Sequence, residues 1–356
     1  VLNWYINPDN GGQRALAAKC SEASGGRYRI DVSTLPNDAT GQREQLVRRL
    51  AARDASIDLV SLDPPFIPEF ANAGFLRPFT DEEAAHFTAG ILQGPIDSAT
   101  WEGRLVAAPF WANTQLLWYR KSVARRAGID PSARPVTWDD LIGAAERTGT
   151  TLEVQGNRYE GYMVLISAMV ASGGGRILEN PEAGKEVRPA IDSPAGARAA
   201  AILSRLARSA AANPGLSTAD EEGARAAFQG QRGGFMVNWP YVHGAAQEAV
   251  AAGVLDRAVL DDFGWARYPR VDAGTESRPP LGGINIGIGA FSRHHDLAVD
   301  ALRCITTQES MTGYMISAKN PSARAAVYDD PEVRAIFPMA DLIRQSIQDS
   351  EPRPKT

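Results

Sequence analysis

The chain has 356 residues, 44% hydrophobic and 22% charged, a balance that supports a buried core and argues against disorder. Its 37 basic and 42 acidic residues are interspersed, with a formal net charge of −5, so no basic face offers itself to nucleic acid or to an anionic membrane. No apolar run approaches the roughly 18 residues a spanning helix needs, and the length suits two or three domains.

Residues 1–6 are an apolar strand with no signal peptide before it, the pattern of a cytosolic chain or of the mature or trimmed form of an exported one. Residues 13–24 have helical spacing and end at Gly25-Gly26. Residues 28–32 alternate with period two, as a strand does. A helix follows over 42–53, with Leu46, Val47 and Leu50 on one face, and a third strand over 57–62. Strands alternating with helices predict a parallel sheet covered on both faces, whose ligands sit at the carboxyl ends of the strands. Those ends carry Asn7-Pro8-Asp9-Asn10 and Asp63-Pro64-Pro65.

A second block opens near residue 113. Residues 114–119 read as a strand, and Pro135 to Leu141 as a helix start, with Thr137 as N-cap and Asp140 closing a capping box. Helical periodicity returns at 161–171, 195–211 and 219–229. Residues 233–239 are a strand leaving the block, 282–291 another, and the helix carrying Cys304 comes next. The C-terminal stretch is helix-rich.

The glycine clusters at 173–175, 233–234 and 282–283 fit turns or strand edges, and none is followed by the Lys-Ser/Thr of a phosphate loop. There is no His-Glu-x-x-His, no Gly-x-Ser-x-Gly and no zinc-like cysteine spacing, so neither cofactor nor metal is expected. His294-His295-Asp296 reads as a solvated helix entry. Asp220-Glu221-Glu222 suits the first turn of a helix, where negative charge favours the dipole, and equally suits a carboxylate site. Asp63, after a buried strand and before two prolines, is divided in the same way between turn chemistry and function. Cys20 and Cys304, the only cysteines, allow two buried thiols or one long-range bridge.

The aromatic residues say more. A sugar ring offers an apolar face of C–H groups and a belt of hydroxyls. It needs a flat aromatic beneath it and Asp, Asn, Gln, Glu or Arg at its edge. Trp111, Trp118, Trp239 and Tyr241 are expected at strand ends or strand–helix junctions. Trp239-Pro240-Tyr241 directly follows an apolar strand and fits such a platform, whereas Trp4 and Trp265 are expected in the core.

Pro135-Val136-Thr137-Trp138-Asp139-Asp140-Leu141 resembles a stretch typical of the sugar-binding proteins of ABC importers. The segment from Trp111 to Lys121 resembles that family's crossover into its second lobe, and Phe75-Leu76-Arg77-Pro78-Phe79 the turn after its first sheet. Segments 1–10, 61–66, 109–121, 235–241 and 320–330 resemble in particular the trehalose-binding lipoproteins of mycobacterial trehalose-recycling importers. The resemblance implies an α/β, two-lobed, periplasmic-binding-protein-like fold: two mostly parallel sheets flanked by helices and joined by a multi-strand hinge. It implies an N-terminal lobe of residues 1–112 plus 262–316 and a C-terminal lobe of 113–261 plus 317–356. Helices 13–24 and 295–307 then share a lobe, which makes a Cys20–Cys304 disulfide the expected outcome.

Carried onto this sequence, the family's ligand residues fall on Asp9 or Asn10, Asp63, Asn113, Glu221 and Trp239, and extend to Gln42 and Gly283; Tyr241 joins them as the second aromatic. The implied function is a monomeric extracytoplasmic binder, not an enzyme, that captures a disaccharide, trehalose first, in an interlobe cleft and delivers it to an ABC permease pair with a cytoplasmic ATPase. Contacts from both lobes would stabilise the closed state. The chain stops at Thr356, where the family's last lobe continues, and neither cysteine stands at the N-terminus. Part of that lobe and the lipid anchor are therefore expected to be absent. Two competing readings are a glycoside hydrolase or lyase with paired carboxylates, and a binder of an anionic solute such as glycerol phosphate. The carboxylates at the candidate positions favour a neutral polyol.

Overall fold

The computed structural model describes residues 1–181 and 186–354. Its contacts divide the chain into two units, Val1–Asn113 with Gly282–Pro338, and Thr114–Leu281 with Met339–Pro354.

In the first unit the apolar strand Leu2–Ile6 runs parallel to Ile30–Thr34 on one side (Leu2 opposite Ile30) and to Leu59–Leu62 on the other (Trp4 opposite Leu59). Pro280–Ile288 returns antiparallel to Leu59–Leu62, and Ala108–Thr114 pairs with it in turn. Leu59–Leu62 is buried along its whole length, as a central strand must be, while Ile30–Thr34 is largely open to solvent on one face. That strand begins two residues later than its alternation predicts. The Tyr28 carbonyl accepts from Ser24 Oγ (2.9 Å), and the Ile30 N–H donates to Ser21 Oγ (2.8 Å), so Tyr28 closes the preceding helix.

Helix Gly12–Ala23 buries Leu16, Ala17 and Cys20, and helix His295–Ile305 buries Ala298, Val299, Leu302 and Ile305. Cys20 and Cys304 are joined as a disulfide, with 5.8 Å between their Cα atoms. His294 is more than a solvated helix entry. Its Nδ1 lies 3.1 Å from the buried Asp58 carboxylate, which also accepts from Ser292 Oγ (2.5 Å) and from the Asn3 N–H (2.8 Å).

The second unit holds a four-stranded sheet in the order Phe263–Ala266, Leu116–Arg120, Gly233–Asn238, Thr151–Glu153. Leu116–Arg120 is antiparallel to both neighbours, and Gly233–Asn238 is parallel to Thr151–Glu153. Helix Trp138–Thr148 starts with the predicted capping box: Asp140 N–H donates to Thr137 Oγ1 (3.1 Å), and Thr137 N–H to Asp140 Oδ2 (2.9 Å). Its apolar face carries Trp138, Leu141, Ile142 and Ala145 into a core shared with Leu165, Ile202, Phe235 and Tyr268.

The chain crosses between units after Asn113, one residue from the expected position. The crossings expected near 260 and 316 lie instead after Leu281 and Pro338. Residues 263–266 stay with the second unit because they pair along Leu116–Arg120, an edge left open by the local sequence. Residues beyond 316 stay with the first because Arg324 bridges to Ile91 and Ser322 to Trp111.

Candidate functional site

The carboxyl ends of the parallel strands carry Asp9, Asn10 and Asp63 in the first unit and Trp239 and Tyr241 in the second. In the second unit the strand Gly233–Asn238 ends at Asn238, which is fully buried and fully engaged. Its Nδ2 donates to the Glu221 carbonyl (2.9 Å), its Oδ1 accepts from the Trp239 N–H (2.9 Å), and its carbonyl accepts from Trp118 Nε1 (3.0 Å). Asn238 therefore fixes the backbone of both Glu221 and Trp239. Trp118, expected at a strand end, is wholly buried and belongs to this support.

Trp239 is partly exposed, unlike Trp4, Trp118 and Trp138, which are sealed in the cores. Trp265, expected in the core, is also partly exposed, edge-on to Trp118 at 6.4 Å and to His243 at 5.8 Å. Tyr241 begins the helix Tyr241–Ala251. Burial, and then the neighbouring Glu222 carboxylate, push its phenol far up. Burial works against ionisation of Glu222, but Arg225, at 2.7 Å, and the Tyr241 phenol outweigh it and hold that carboxyl below its usual range.

Glu221 is the first residue of helix Glu221–Gln229, whose N-cap Asp220 accepts from the Gly223 N–H (2.8 Å). Tyr159, in the loop after Thr151–Glu153, donates its hydroxyl to Glu221 Oε2. Burial and that carboxylate push the Tyr159 phenol far up, so it stays a donor. Aromatic surface and acceptor oxygens thus meet at the ends of two parallel strands, where open α/β sheets bind ligands.

In the first unit, Asp9 closes the loop after Leu2–Ile6. Its Oδ1 accepts from the Gly11 N–H (2.9 Å) and its Oδ2 from the Gln13 N–H (2.8 Å), so both oxygens hold the start of helix Gly12–Ala23. Asn10 is exposed and donates to the Ser317 carbonyl (3.0 Å). Gln42 is buried, and its Nε2 donates to the Pro36 carbonyl (2.9 Å). Asp63 stands partly exposed at the end of Leu59–Leu62, ahead of the turn Pro64–Phe66. Asn113 is partly exposed near the end of Ala108–Thr114.

Gly283 has φ +129°, and a Cβ there would overlap the Trp111 carbonyl oxygen and sit 2.8 Å from Ala112 Cα. Close backbone approach accounts for that glycine without any ligand. Sequence reading missed Tyr159 and Asn238, whose roles depend on partners 62 and 17 residues away.

Among the described residues no group of three or more His, Cys, Asp or Glu could hold a metal ion, and no helix is long and apolar enough to cross a membrane. The chain is similar over 342 residues, at 25% identity, to a probable ABC transporter-binding protein of Deinococcus radiodurans, covering 92% of this chain and 76% of that protein. Its structure is similar to maltose-bound MalE3 of T. maritima (TM-score 0.84, 25% identity), over 100% of this chain and 89% of that one. It is also similar to the sugar-binding protein MalE of Xanthomonas citri (TM-score 0.81, 17% identity), over 100% and 87%. These are proteins of solute transport rather than catalysts, which removes the hydrolase reading. The family model for bacterial extracellular solute-binding proteins matches residues 20–312, and the chain belongs to that family.

Proposed function

We propose that this protein captures a neutral disaccharide, trehalose first, outside the cytoplasm and delivers it to the permease pair of an ABC importer driven by a cytoplasmic ATPase. It acts as a monomer tethered to the membrane by an N-terminal lipid. The observation that carries the reading is the partly exposed Trp239 held beside Glu221 on a rigid, buried Asn238. An aromatic face next to a carboxylate suits the C–H face and hydroxyl edge of a sugar. Similar structures hold maltose, α-D-tagatose, ribitol and D-mannitol, all uncharged and rich in hydroxyls.

Asp63, Asn113, Glu221, Trp239 and Tyr241 supply the sugar contacts in this reading. Asp9, Asn10, Gln42 and Gly283 hold the loops and strands that carry them. An anionic solute is the second reading. It draws on a 51-residue stretch 41% identical to a glycerol-3-phosphate-binding periplasmic protein of Escherichia coli. The carboxylate of Glu221, whose backbone Asn238 ties to that of Trp239, would repel a phosphate.

The test is a thermal-shift and calorimetric screen against trehalose, maltose, mannitol and glycerol 3-phosphate, with Trp239→Ala as control. A sugar at a hundred times its Kd adds about 2.7 kcal/mol to stability. Selective stabilisation by trehalose, lost in Trp239→Ala with the fold intact, is the expected result. A response to glycerol 3-phosphate alone, or full sugar affinity in Trp239→Ala, would overturn the assignment.

A further inference from the structure

We infer that Tyr159 is a positioning residue of the sugar site: its hydroxyl orients the Glu221 carboxylate for the ligand, and residue 161 is glycine so that the ring can lie in place. This rests on the sugar-binding reading above.

The geometry is built from both sides. The loop carrying Tyr159 is stitched to the start of the Glu221 helix by the Asn157 N–H, which donates to the Ala219 carbonyl (3.0 Å). The Tyr159 ring folds back over the first turn of helix Glu160–Ser172, and a Cβ on Gly161 would overlap its hydroxyl oxygen and Cζ. Any larger residue at 161 must shift the hydroxyl end of the ring from the place where it meets Glu221.

The Glu221 backbone is fixed by Asn238, but among the described residues only Tyr159 forms a hydrogen bond with its carboxylate. A glutamate side chain has three free torsions, and ordering them counts against ligand binding unless it is done in advance. Tyr159 does this before the sugar arrives. It occupies Oε2 and leaves Oε1 as an oriented acceptor. An ionised carboxylate accepts only, so Oε1 selects a hydroxyl donor and rejects a phosphate oxygen. Tyr159 is itself 36% exposed, so the arrangement is not sealed in the core and remains accessible to solute.

The experiment is calorimetric titration of the purified protein with trehalose, maltose and mannitol, comparing wild type, Tyr159→Phe, Gly161→Ala, Glu221→Gln and the double variant Tyr159→Phe/Glu221→Gln. Tyr159→Phe should weaken sugar binding about tenfold, equivalent to about 1.4 kcal/mol, with the melting temperature unchanged. Gly161→Ala should lose at least as much. In the Glu221→Gln background, removing the Tyr159 hydroxyl should change affinity less than about threefold, because an uncharged amide oxygen holds that hydroxyl far more weakly than a carboxylate does. That loss of coupling separates positioning from a merely structural role.

Wild-type affinity in Tyr159→Phe would overturn the inference. So would an equal loss in both backgrounds, which would mean the ring touches the sugar directly. If Trp239→Ala abolishes binding while Tyr159→Phe does not, the sugar reading stands and this inference falls. If none of the three sugars binds wild type, both fall.

Discussion

Replacing Gly283 by alanine separates a ligand position from a packing position. Residue 283 has φ +129°, a region that residues with a Cβ rarely enter, at a cost of roughly 1–3 kcal/mol. The added methyl would also overlap the Trp111 carbonyl and lie 2.8 Å from Ala112 Cα and 3.1 Å from the Trp111 carbonyl carbon. Those are backbone atoms of the neighbouring strand, which cannot swing aside as a side chain can. Overpacking of this kind costs a further 1–3 kcal/mol or so. Together the two effects remove about 4 kcal/mol, a large share of the roughly 5–15 kcal/mol that holds a domain folded. At about 2–4 °C per kcal/mol, the melting temperature should fall by about 8–16 °C. Differential scanning calorimetry of ligand-free Gly283→Ala measures this directly. A melting temperature within about 2 °C of wild type, together with lost sugar binding, would refute the packing argument and make Gly283 a contact residue.

The Cys20–Cys304 bridge closes a loop across 284 residues, so Cys20→Ser/Cys304→Ser should lose about 3–5 kcal/mol, read as a lower urea midpoint; an unchanged midpoint would refute it. Burial holds the Glu153 carboxyl above its usual range, and hydrogen bonds from Thr151 and Asn213 offset this only in part. The folded state then binds more protons than the unfolded one between the ordinary and the raised value, so stability falls as pH rises through that window. Glu153→Gln should flatten this slope and raise stability at neutral pH, and an unchanged profile of urea midpoint against pH would count against the argument.

What the sequence revealed was what is encoded locally. The βαβ start follows from alternation and helical spacing, and the Thr137–Asp140 box from residues three apart. Trp239 stood out because it follows an apolar strand directly. The missed features depend on distant partners. The strand Phe263–Ala266 belongs to the second unit because it pairs along Leu116–Arg120, more than 140 residues earlier in the chain, where Gly264 leaves room for the Tyr119 ring. Residue type suggested ligands at Asp9 and Gln42, yet their polar atoms hold neighbouring backbone, a use that leaves no trace in the sequence. Tyr159 looked like any loop tyrosine until its partner 62 residues away was placed beside it. The disulfide could be expected only through family resemblance, since two cysteines alone do not say whether they meet.

The order of the strands along the chain also sets an order of assembly. Leu59–Leu62 has no neighbour on one side until residues 285–288 exist, because Pro280–Ile288 is that neighbour. Every strand of the second unit's four-stranded sheet lies between Leu116 and Ala266. During synthesis from the N-terminus the later unit can therefore complete its sheet while the earlier one still has an open edge. The first strands of the chain to be made thus wait for a late strand to close their sheet. Its exposed edge must be kept from pairing with other chains until the returning strand and Cys304 arrive.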